Sequence, residues 1–160
     1  MTDGPRSLLD GLWRIAYWLA FRLLRCWWFL RRPHHQGALV AVWHEGRVLM
    51  LTPSYRKTLD FPGGGRRRGE GAAEAAAREL AEETGIRAAP TALALTLEMT
   101  VFWHWRYDEV AVFELRLAEP PAIRVDGREI VAARFMAPEA ALAAPLSPFV
   151  RAYLRAGAVA

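Results

Sequence analysis

The chain has 160 residues, 53% of them hydrophobic, and a net charge of +4. That length predicts one domain with a single sizeable core, and that apolar fraction excludes a disordered polyelectrolyte. Lys57 is the only lysine, so the positive charge is almost all arginine. Arginine's planar fork suits phosphate recognition, but so small a global excess gives no reason to expect a nucleic-acid partner. Cys26 is the single cysteine. It excludes an internal disulfide, accords with a reducing cytoplasm, and in its apolar surroundings is expected to pack rather than react.

The spacing predicts a first helix over Ser7 to Arg32, with Ser7 as its cap and Pro33 as its stop. Leu, Trp, Phe and Ile dominate it, and Asp10, Arg14, Arg22, Arg25 and Arg32 form one narrow polar stripe. A membrane span is excluded. The longest uncharged run, Ile15 to Phe21, is seven residues against the ~20 a span requires, and Arg22 and Arg25 would each cost about 2.5–3.5 kcal/mol at mid-bilayer. A secretory signal is not expected, because arginines interrupt the apolar run and no small-residue cleavage site follows it. Two readings stay open: a helix packed on the domain or on a second copy in a homodimer, and an interfacial helix on an anionic membrane. The chain is accordingly expected in the cytoplasm, with peripheral contact at the inner membrane surface under the second reading.

Beyond Pro33-His34-His35, strands are expected at Gly37 to His44 and Arg47 to Thr52, joined by a turn at Glu45-Gly46. A loop over 53–60 enters the turn Phe61-Pro62-Gly63-Gly64-Gly65. Alanines favour a helix from Ala72 to Thr84, which Gly85 ends. Gly71 occupies the cap position and offers no side chain to it. Further strands are expected at Leu93 to Trp103, Val110 to Leu117 and Ile130 to Met136, and short helices at Pro138 to Ala143 and Ser147 to Arg155. Pro120-Pro121 reads as a loop, not a domain boundary.

The informative segment is Gly64 to Ile86. Glu79, Glu82 and Glu83 lie at i, i+3 and i+4 and share one helix face. Crowded carboxylates repel, and a divalent cation with oxygen ligands is the usual remedy. An ordinary acidic helix face with i, i+4 pairs such as Glu74–Arg78 and Arg78–Glu82 would explain the charges, but not Gly64, Glu70 and Gly85 in register. Seven fixed positions would match by chance on the order of once in 10⁸ starts.

These residues resemble the Nudix box: Gly64, then Glu70, Arg78, Glu79, Leu80, Glu82, Glu83, Gly85 and Ile86, every specified position filled. The resemblance covers roughly Gly37 to Arg155. It implies an α/β Nudix fold, a mixed sheet between helices, with residues 34–160 as the hydrolase domain. Residues 1–33 are an added amphipathic helix like those of a bacterial subgroup. It further implies Mg²⁺-dependent attack of water on a diphosphate in a nucleoside diphosphate derivative, with Mn²⁺ as a substitute metal. Carried onto matching positions, Glu79, Glu82, Glu83 and the Gly64 carbonyl would hold the metal. Glu79 or Glu82 would act as base, Arg78 would orient the glutamates, and Glu70 would sit in the outer shell. The competing class is a catalytically silent nucleotide-binding or membrane-associated regulatory protein.

For substrate, the basic run Arg66-Arg67-Arg68 offers Arg66 to a phosphate. Phe102-Trp103-His104-Trp105 offers Trp103 to a base, although core packing is the commoner use of such residues. Strand alternation predicts Trp103 and Trp105 on one face, Phe102 and His104 on the other. Among the spare carboxylates Glu98, Asp108, Glu114 and Glu129, the last stands at a loop-to-strand junction and is the first choice for an added ligand or base.

Overall fold

The computed structural model describes residues 2–3 and 8–157, so the Ser7 cap lies outside the described residues. In chain order the elements are β1 (Thr2–Asp3), α1 (Leu8–Arg31), β2 (His34–His44), β3 (Arg47–Pro53), β4 (Gly63–Gly65), α2 (Ala72–Thr84), a 3₁₀ turn (Pro90–Ala92), β5 (Ala94–Trp103), β6 (Arg106–Arg116), β7 (Ile130–Met136), α3 (Pro138–Leu142) and α4 (Pro148–Gly157).

The sheet runs β1-β7-β3-β2-β6-β5, with β4 pairing β2 off this path. All pairings are antiparallel except β2 with β6, which is parallel from His34↔Tyr107 to Trp43↔Arg116. The sheet is therefore mixed, and its central strand is buried on both faces. Ala38, Val40 and Val42 meet Ala75, Ala76 and Leu80 of α2. Leu39 and Ala41, pointing the other way, join Phe149, Val150 and Leu154 of α4. This is the expected sheet between helices.

Alanine at 75 and 76 lets α2 lie close to β2, which brings its glutamate face to the sheet edge. Gly85, at φ 77° with its N–H bonded to Ala81, ends the helix where expected. Gly71 gives no side-chain cap; Glu74 instead accepts from the Gly71 N–H at 3.0 Å.

Three expectations are corrected. β2 begins at His34 and β6 at Arg106, earlier than their apolar runs, because the polar segments 34–36 and 107–109 pair with each other. His104 and Trp105 are not strand residues. They form a two-residue turn at φ 52° and 69°, closed by the Trp103↔Arg106 pair, and this reversal puts Trp105 against Phe102 at 6.3 Å rather than beside Trp103. The polar stripe of α1 is divided: Asp10, bonded by Arg128, and Arg14, donating to the Gly127 carbonyl at 2.8 Å, face inward, whereas Arg22 and Arg25 are exposed. The large apolar side chains of α1 are mostly exposed. Among the described residues, no helix is long and apolar enough to cross a membrane.

Candidate active site

A cleft of about 770 Å³ opens between β4, α2, the β5–β6 turn and the inner side of α1. Its floor is built by β4. The bonds from Arg66 N to Gln36 O and from Val40 N to Pro62 O flank the Ala38↔Gly64 pair. Antiparallel ladders alternate, so Ala38 and Gly64 are a bonded pair and the Gly64 carbonyl is turned to β2. That bond occupies one of the two lone pairs of the carbonyl expected as a metal ligand. Gly64 also contributes space: a Cβ there would lie 2.7 Å from the Glu79 carboxylate. Gly63 is the loop residue whose backbone addresses the glutamates, its N–H donating to Glu83 at 2.8 Å.

Arg78 organises the acidic cluster. Its Nε and one terminal nitrogen donate to both oxygens of Glu70 at 2.7 and 2.8 Å, and its other terminal nitrogen donates to Glu79 at 2.6 Å. A further bond reaches the Gly65 carbonyl at 3.1 Å. Glu70 also accepts from the Arg67 N–H at 2.8 Å. The Arg78 and Arg67 bonds hold the Glu70 carboxyl down to about 2, so it stays ionised as a strut. Arg78→Lys would keep the charge and lose the fork. The expected result is a 10–100-fold fall in apparent metal affinity, read by titrating divalent cation against thermal stability.

Glu83 is half-buried in the cleft. Burial raises its pKa well above the usual carboxylate range, against the Gly63 N–H; Glu129, Glu79 and Asp60 push it further up. Burial also raises Glu129, with help from Asp126 and Glu79. Half-buried acids that raise one another's pKa favour a cation between them, so the donor set fits a hard divalent metal. Among the described residues, no three such groups already converge at metal-holding distance. Glu82 is half exposed and less constrained, 3.4 Å from Arg67 and 3.5 Å from Arg78.

Of the expected substrate contacts, Trp103 and Glu129 line the cleft and Arg66 does not. Arg66 donates from Nε and a terminal nitrogen to the Glu70 carbonyl, bracing the loop, and the neighbouring Arg67 faces the cleft in its place. Glu98 and Glu114 lie elsewhere, whereas Asp108 lines the cleft.

Sequence reasoning missed Arg56 and Asp60, paired at 2.6 Å beneath the Trp103 ring. Asp60 also accepts from Ser147 Oγ and the Phe61 N–H. A lone Asp four residues after an arginine in a loop carries no signal of this. It also missed Tyr17, Phe21, Leu24 and Trp28 of α1, which form the facing wall. Phe21 packs on Tyr55 at 5.0 Å and His104 at 5.3 Å, and Arg106 covers Trp28 at 4.0 Å.

His104 is half-buried, and its pKa is pushed down to about 4 by burial and then by Arg25, Arg56 and Arg106. The unfolded chain, near 6.5, takes a proton first as pH falls. The stability contribution is therefore full above about 6.5 and lost towards 4. Allowing for solvent screening, this is roughly 1–2 kcal/mol. His104→Gln should flatten that part of the wild-type stability–pH curve; an unchanged acid limb would refute the assignment.

Comparisons with known proteins bear on the family and the fold. A family model described as NUDIX domain matches residues 33–156. No curated protein matches by sequence. Solved structures do match in fold. A MutT protein from Methanosarcina mazei Go1 is 20% identical at TM-score 0.67, covering 78% of this chain and 93% of that one. The E. coli dihydroneopterin triphosphate pyrophosphohydrolase is 26% identical at 0.63, covering 76% and 92%. A C. elegans Ap4A hydrolase is 19% identical at 0.64, covering 78% and 96%.

Proposed function

The chain belongs to the Nudix hydrolase family, and from that premise we propose that it cleaves a diphosphate linkage in a nucleoside diphosphate derivative. The observation that carries the reading is Arg78 holding Glu70 and Glu79 together beside the half-buried Glu83. Residues 34–160 act as the hydrolytic domain and residues 1–33 as an appendage that completes one wall.

Glu79, Glu82 and Glu83, with the Gly64 carbonyl, would hold Mg²⁺, or Mn²⁺ in its place. The bound metal would neutralise phosphate charge and lower the pKa of water. Glu82, less constrained than the Arg78-bound Glu79, takes the proton from the attacking water. That water adds to phosphorus as the bridging P–O bond breaks, and the two phosphate products leave. Arg56 and Arg67 face the cleft and bind the phosphate oxygens. Trp103, Phe21 and Tyr55 offer aromatic faces to the base. Glu129 stands on the substrate side.

The test is a panel of ADP-ribose, nucleoside triphosphates, dinucleoside polyphosphates, NADH and coenzyme A, assayed with and without Mg²⁺. Mg²⁺-dependent cleavage of one member supports the reading and names the substrate. Nucleotide binding with no cleavage of any member would replace it with a silent binding protein.

A further inference from the structure

We propose that the outward face of α1 docks on an anionic phospholipid bilayer, with the helix lying along the surface. This rests on the helix and its charges, and stands whether or not the cleft hydrolyses a diphosphate.

The helix has two unlike sides. Its inner side is tied to the body by Asp10–Arg128, Arg14–Gly127 and the Phe21 and Trp28 ring contacts. On its outer side, at about 100° per residue, Leu12, Ile15, Leu19, Leu23 and Leu30 fall in an arc of about 80°. All five are exposed, Leu23 and Leu30 at 71% and 76%. A contiguous apolar face of this length on a 24-residue helix marks an interaction surface.

The charges choose the occupant. The sole acid of α1, Asp10, is turned inward, whereas Arg22, Arg25 and Arg31 are exposed. On the helical wheel Arg22 and Arg25 flank the arc on one side, and Arg31 flanks it on the other. Arg22 lies over Trp18 at 4.5 Å and Arg31 over Trp27 at 5.0 Å. This sets guanidinium and indole together at the border of the apolar arc. Such an order matches a bilayer surface: apolar side chains among acyl chains, tryptophans at the boundary, arginines at anionic headgroups. A second copy suits it poorly, because two such helices bring arginines together and offer no outward acid to meet them.

The full chain is sedimented with vesicles of phosphatidylcholine alone and of phosphatidylcholine with 30% phosphatidylglycerol. It is compared with a Leu19→Glu/Leu23→Glu variant, neither position lining the cleft, and its mass is read by light scattering. The expected result is at least tenfold stronger partitioning onto the anionic vesicles, weakened by high salt and lost in the variant, whose circular dichroism is unchanged. Failure of the wild-type chain to bind overturns the proposal, as does equal binding to neutral vesicles. A dimer in solution that the variant dissolves, without vesicle binding, assigns the face to a second copy instead.

Discussion

Glu83→Gln is expected to lower Mg²⁺-dependent turnover by on the order of 10³-fold while leaving the melting temperature where it is or raising it. The two halves of this result have one cause. Glu83 sits among Glu129, Glu79 and Asp60, and desolvation followed by these three carboxylates opposes its ionisation. The amide keeps an oxygen to accept the Gly63 N–H and removes the half-buried charge, so the fold loses nothing. What disappears is the negative charge that holds the cation. Added Mg²⁺ should therefore stabilise the wild-type chain and hardly shift the variant. Full metal-dependent activity in both Glu83→Gln and Glu82→Gln would remove the proposed site altogether.

Gly63→Ala is the second large effect, and it acts through the backbone. Gly63 sits at φ 150°, and a Cβ there would lie 2.2 Å from the Ala38 carbonyl oxygen and 2.8 Å from the Leu39 Cα. These are atoms of the central strand, buried on both faces, and cannot yield as a flexible side chain would. The expected cost is about 3 kcal/mol or more, a fall of roughly 6–12 °C in melting temperature. Activity should fall further than stability, because the same peptide donates to Glu83. Gly11→Ala, in α1 with nothing within 4 Å of the added methyl, is the control. It should be neutral or stabilise by up to about 1 kcal/mol. Equal melting temperatures for the Gly63 variant and the wild type would show that the loop adapts.

What the sequence made legible has a local origin. The bounds of α2 follow from its alanines and Gly85, and those of β7 from one apolar run between a loop and Pro138. The box residues were readable because their spacing is itself the geometry of one helix and one loop. What stayed hidden depends on partners distant in the chain. The polar starts of β2 and β6 look like loop until each is set beside the other. Arg66 and Arg67 are alike as residues, and only the loop's path decides which braces Glu70 and which faces the cleft. Arg56 becomes a cleft residue through Asp60, which is itself held by Ser147 from beyond β7. For α1, composition showed two unlike sides but not which would turn inward. The Asp10–Arg128 pair decides that, 118 positions apart.

The parallel pairing of β2 with β6 also sets an order of assembly. Local turns can join β2 to β3 and β5 to β6, but the register His34↔Tyr107 closes a loop across 73 positions. Chains that depend on such distant pairings fold slowly, because the entropy of closure is lost before the contacts return it. The glutamate-bearing half of the cleft is built on β2, β4 and α2, near neighbours in the chain, and is expected to form before that pairing. The wall carrying Trp103, His104 and Asp108 arrives only with the long-range pairing. α1 precedes the sheet in the chain, yet its resting place is the 103–106 turn and the 126–128 loop, which are synthesised much later. Until those two segments are made, the inner side of α1 is left as uncovered as its outer one.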